Sequence, residues 1–144
     1  MKKNPFAFVH PWGGTPDETL VVVGTKDPKD YVRIFRHFKV KPDLAKDVIT
    51  WLKDGIGKQT DNGAFFWVES DHGRFTSLYL KDWANDWSHY ETLMHELHHA
   101  VNYVLVDCRG MGKEPEAQAY AQEMLFHGIR RKLENLDKHE RYKL

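Results

Sequence analysis

The chain reads as a succession of short patterned segments. "TLVVVG" (19–24) is an unbroken apolar run closed by glycine, the pattern of a buried strand. In "YVRIFRHF" (31–38) apolar and basic positions alternate around Val32 and Ile34, and its β-branched and aromatic content predicts a second strand. "PDLAKDVITWLKDG" opens on proline and repeats Leu44, Val48, Trp51 and Leu52 at helical spacing. That predicts a helix ending at Asp54-Gly55. "NGAFFWVES" and "RFTSLYLKD" predict two further strands, with "DHG" (71–73) as their turn.

Ser88 and Glu91 make an S-x-x-E box, so a helix is expected to start at Ser88. Its apolar stripe is Leu93, Leu97, Ala100, Val101 and Val104, and Gly110 and Gly112 mark the turn beyond it. A last helix is expected from near Pro115, carrying Ala117, Ala121, Met124, Leu125 and Ile129, and fraying into "DKHERYKL". Strands and helices in this order predict an α+β domain over residues 1–144, a small mixed sheet with two long helices after it.

Composition narrows the partners. Lys plus Arg number 21 and Asp plus Glu 21, so charge favours neither nucleic acid nor an anionic membrane. A hydrophobic fraction of 41% with 13% aromatics fits a globular chain. The single cysteine, Cys108, cannot close an internal disulfide and suits a reducing compartment. It is read as a small packed residue. The apolar run after Met1-Lys2-Lys3 is too short for a signal peptide, and no segment is long enough to span a bilayer. A cytoplasmic setting is the expectation.

The chemistry lies in "HYETLMHELHHA" (89–100). His95 and His99, four residues apart, are neighbours on one helix face, so two imidazoles can grip one ion from a rigid support. Glu96 is rotated by about 100° from His95, placing its carboxylate beside such an ion without coordinating it. H-E-x-x-H is therefore a zinc pair with a general base. His98 could pair with His95 at three residues, but Glu96 would then face away, so His98 is assigned a flank role, packing against or hydrogen-bonding to a neighbour. The bland alternative, a cluster of surface histidines, is favoured by the 9 histidines and opposed by the amphipathic helix carrying the motif.

Catalytic zinc takes three protein ligands and leaves one position for water. A third histidine shortly after His99 is not available, because Asn102 and Leu105 stand where H-x-x-G-x-x-H requires glycine and histidine. A glutamate from the next helix is the other route. Glu116, in its first turn, is the expected ligand, with Glu123 or Glu114 as alternatives. A solvated acidic helix start is the competing explanation for Glu116.

"HELHH" followed by "EPEAQAY" resembles the gluzincin branch of zinc metallopeptidases, the thermolysin-like arrangement and its minimal relatives, over roughly residues 60–130. The resemblance implies a zincin-like fold with one Zn2+ per chain and zinc-dependent peptide hydrolysis in a prokaryotic intracellular setting. "NGAFFW" is similar to the edge strand along which those enzymes hold substrate, implying a peptide or protein bound near Ala64–Val68. Two departures stand out. Tyr120 occupies the position one turn after the ligand where the family often has an aspartate, and 28 residues follow Glu116 where those enzymes carry a further subdomain supplying a transition-state donor. Tyr103, Tyr120 and His127 are the candidate donors. Trp83 and Trp87 could line a pocket or cap the core, and capping is preferred. The basic run Arg130 to Lys132 is read as a solvated helix end. The rival to a peptidase, active or latent, is a non-catalytic zinc-binding regulatory or interaction domain.

Overall fold

The structure, a computed structural model, describes residues 5–12, 17–54, 62–70, 73–135 and 142–143. The chain divides into two compact units, one formed by residues 1–82 with 140–144 and the other by 83–139. The α+β expectation holds.

The first unit is a mixed sheet with two helices. Strands β1 (Phe6–Pro11), β2 (Glu18–Val23), β3 (Gly63–Ser70), β4 (Gly73–Leu80) and the two-residue β5 (Tyr142–Lys143) lie in the order β3-β4-β2-β1-β5. β2 and β4 run parallel, while the β1–β2, β3–β4 and β1–β5 pairs are antiparallel. Helices α1 (Pro28–His37) and α2 (Pro42–Asp54) bury Tyr31, Ile34, Phe35, Leu44, Val48 and Leu52 in one core with sheet residues Leu20, Val22, Phe66, Val68 and Tyr79. The alternate positions Val21, Val23, Leu78 and Leu80 are buried too, so the central strands are apolar on both sides and read as continuous runs. Trp12 Nε1 donates to the buried Thr19 Oγ1 at 2.8 Å, and Thr19 Oγ1 lies 3.0 Å from Thr76 Oγ1, whereas the Tyr31 hydroxyl in the core has no hydrogen-bond partner among the described residues.

Three expectations need correction in this unit. Residues 31–37 belong to α1, and Phe38 is its C-cap. Tyr31, Ile34 and Phe35 are the buried positions, spaced three and four apart, while Val32 is only half-buried. Asp27 caps this helix by accepting from the Lys29 amide at 2.9 Å, with Pro28 in the first turn, a start signal that outweighs the β-propensity of the segment. β1 was not anticipated as a strand. Trp51 is 40% exposed and does not share the buried stripe of Leu44, Val48 and Leu52. Gly55 and the turn residues Asp71 and His72 fall outside the described residues.

The second unit contains α3 (Trp87–Val101), a π-helix (Asn102–Cys108) that continues it, and α4 (Pro115–Glu134). α3 begins one residue before the expected start. Asp86, not Ser88, is the cap: its carboxylate accepts from the His89 amide at 3.1 Å, and Ser88 Oγ donates to it at 3.1 Å. An ionised oxygen accepts more strongly than a hydroxyl, and Asp86 stands at the right distance from the third amide of the helix. α4 packs antiparallel on α3, with Tyr90 edge-on to Phe126 at 6.1 Å and Gln122 Nε2 donating to the Met94 carbonyl at 3.4 Å. Leu93, Leu97, Ala100 and Val101 on α3 are buried, as are Leu125, Ile129 and Leu133 on α4. The turn after the π-helix closes at Gly110, whose φ of 67° lies in the left-handed region that favours glycine. Among the described residues, no helix is long and apolar enough to cross a membrane.

Candidate metal centre

α3 displays its functional side chains on a solvent-facing side. His95 and His99 are exposed, and their Nε2 atoms are 3.3 Å apart with the rings nearly perpendicular, at 83°. Two nitrogens bound at about 2.0–2.1 Å to a tetrahedral zinc ion stand about 3.3–3.4 Å apart. The pair therefore fits one edge of a zinc tetrahedron. The same separation accommodates one ring donating Nε2–H to the other, a proton that a metal would replace. Burial, then the neighbouring His95 and His98, holds His99 below the ordinary imidazole value. That favours the neutral ring a metal requires.

Glu96 sits on a different face. It is 7% exposed and is the one charged side chain among the described residues to be buried. Taking a carboxylate out of water costs several kcal/mol unless it is compensated. Its placement one residue past His95 is the rotation expected for a base that stands beside an ion rather than on it.

His98 is exposed, and its Nε2 accepts from Asn102 Nδ2 at 3.3 Å. Among the described residues, no three His, Cys, Asp or Glu side chains come close enough together to hold a metal. Glu116, exposed in the first turn of α4, is thus not gathered with the two imidazoles here. The wheel of α3 explains why: Tyr90 marks the side that meets α4, and His95 and His99 lie roughly 140° and 180° round from it. Glu114 and Glu123 are likewise exposed.

The donor candidates differ in setting. Tyr103 is buried in the π-helix, whereas Tyr120, at 65% exposure, and His127 face solvent with Glu116 and Glu123. Trp83 is buried and donates from Nε1 to Asn85 Oδ1 at 3.1 Å, in keeping with a packing role. Trp87, expected to cap the core, is instead 71% exposed. The basic run is more than a solvated end: Arg130 is half-buried, with its guanidinium 4.9 Å from the Tyr90 ring centre and its Nε 2.5 Å from Glu134. Cys108 is half-buried.

Sequence reasoning gave Asn102 no part in the site, although its spacing of four from His98 was readable. No protein-family model, curated protein or solved structure matches the chain.

Proposed function

We propose that this protein is a zinc-dependent, zincin-like peptidase in which His95 and His99 are metal ligands, Glu116 the third, and Glu96 the general base. The 3.3 Å approach of the two Nε2 atoms carries the reading, because it is the spacing a tetrahedral zinc imposes on two nitrogens. When bound, zinc lowers the pKa of its water to about 7 and polarises a substrate carbonyl. Glu96 accepts the proton of the attacking water and delivers it to the departing amine. Its burial keeps bulk water from competing for that proton.

Zn2+ in this reading is present at one ion per chain. The ligand set closes only if the start of α4 rearranges to bring Glu116 round to the histidine face of α3. A peptide substrate lies extended along Ala64–Val68 of β3, an outer strand of the sheet, pairing with it by strand addition. The single cysteine supports a reducing, cytoplasmic setting. The alternative, a non-catalytic or latent zinc domain, uses the same two imidazoles without turnover.

Metal analysis of the purified protein is the test. About one zinc per chain is expected in the parent, lost in His95→Ala and in Glu116→Ala. Zinc kept in Glu116→Ala removes that residue from the ligand set; a metal-free parent removes the centre. Digestion of a peptide library by the zinc-loaded protein then separates a peptidase from a binding domain.

A further inference from the structure

The equal numbers of cationic and anionic residues in the whole chain conceal an uneven local distribution. Residues 29–41 carry Lys29, Arg33, Arg36, Lys39 and Lys41 against one carboxylate, Asp30, which bonds Arg33 at 2.7 Å. Lys29, Arg33 and Arg36 follow one another at four and three residues, so they share one face of α1, and all three are exposed. That face lies opposite the buried stripe of Tyr31, Ile34 and Phe35. Lys39 and Lys41, just past the helix, are exposed as well. Like charges at these spacings repel and weaken the helix.

Lys39 adds a second cost. Its φ of 56° makes it the one non-glycine in the left-handed region among the described residues. It stands where α1 ends: its amide donates to the Arg36 carbonyl at 3.3 Å, and the Val40 amide donates to the Phe35 carbonyl at 2.9 Å. Those paired bonds form a helix stop that usually takes glycine. A lysine there gives up stability that glycine would restore, at the end of a face already weakened by repulsion.

We propose that the solvent face of α1, from Lys29 to Lys41, is a docking surface for the phosphodiester backbone of a nucleic-acid duplex, bound without regard to sequence. Lys29 to Arg36 covers about 10 Å of helix, the rise of about three phosphates on one strand. Phosphates relieve the repulsion along the stripe, and the guanidinium forks of Arg33 and Arg36 match them. An anionic membrane fits less well. A helix lying on a bilayer buries apolar side chains in lipid, and those of α1 are committed to the core of the sheet unit. A single strand asks for aromatic side chains on which to stack its bases, and no Phe, Tyr or Trp of residues 29–41 is exposed.

Fluorescence anisotropy of a labelled DNA duplex about two helical turns long tests this on the full chain. Five phosphate contacts give a log–log salt slope of about −4.5, so affinity should fall about 500-fold between roughly 50 and 200 mM salt. Lys29→Ala, Arg33→Ala and Arg36→Ala combined should flatten the slope by about 3 and remove most of the binding. Arg131→Ala, at an exposed position on α4, should leave both unchanged. Lys39→Gly separates docking from folding: it should melt about 2–4 °C higher yet bind more weakly, with a slope shallower by about 1. Parental affinity in the folded triple variant overturns the proposal, as does a parent that binds no duplex at about 50 mM salt. Binding to phosphatidylserine vesicles without binding to the duplex overturns it in favour of a membrane. A higher melting temperature with unchanged affinity in Lys39→Gly overturns the part given to Lys39, even if the triple variant fails to fold.

Discussion

The two units of this chain differ in what they bury. In the sheet unit the strands bury side chains on both faces, and every residue in the core cluster with α1 and α2 is at most 5% exposed. Both units leave large apolar side chains in water, Trp51 and Trp67 in the first and Trp87, Met94, Tyr120 and Met124 in the second, but among the described residues the helical unit alone buries a charged side chain, Glu96. Taking a charge out of water is disfavoured by stability alone unless partners compensate it. Departures of that sort concentrate where a protein binds or reacts. Under the proposed function, the buried carboxylate on α3 is the general base, and the first unit is scaffold and pairs with substrate.

Glu96 gives the contrast its largest expected effect. Glu96→Gln keeps the shape and removes the charge, so hydrolysis should fall about 10²–10⁴-fold while zinc content stays at the parental level. Denaturation of the same variant checks that it remains folded, so that the loss is of the base and not of the structure. Parental turnover would break the assignment of Glu96 as base.

Ile34, fully buried between α1 and the sheet, tests the other side. Ile34→Ala should cost about 2–5 kcal/mol by urea denaturation, from lost transfer energy and the cavity left behind. Metal affinity of the folded variant should not move. Met94→Ala, at an exposed position beside the histidines, should stay within about 0.5 kcal/mol. If Met94→Ala proved the costlier of the two, the division between scaffold and site would be wrong.

The same contrast governs what could be read before the structure. β2 and β4 were legible as near-continuous apolar runs, buried on both faces, and α2, β3 and α4 because their burial follows a single period over most of their length. α1 was not: Val32 and Ile34 alternate in the sequence, and only burial reveals that Tyr31, Ile34 and Phe35 form the inward stripe. β1 was passed over because a short apolar run near the start of the chain has no partner in the sequence, and its strand identity comes from pairing with β2 across Phe6–Val23 to Pro11–Glu18. The approach of His95 and His99 was legible because it is set by local helix geometry. The third ligand depends on how α4 lies against α3, a tertiary relation that no spacing within either helix encodes.

Asp86 carries the smallest expected effect and tests the helix start from which the site is displayed. Hydrogen bonds from the His89 side chain and backbone hold its carboxyl below the ordinary aspartate range, with Ser88 adding a third. A carboxyl whose folded value is depressed stabilises the fold above its unfolded value of about 3.9 and loses that contribution as pH falls through the lower folded value. Asp86→Ala should therefore melt a little below the parent at neutral pH, with the gap narrowing as the pH drops below about 3.9. The sign follows from which state prefers the charge: the folded chain gathers donors around Asp86 that the unfolded chain disperses. If instead the gap widened in acid, Asp86 would favour its protonated form in the folded state. The cap would then belong to Ser88, and α3 would begin where the S-x-x-E box first placed it.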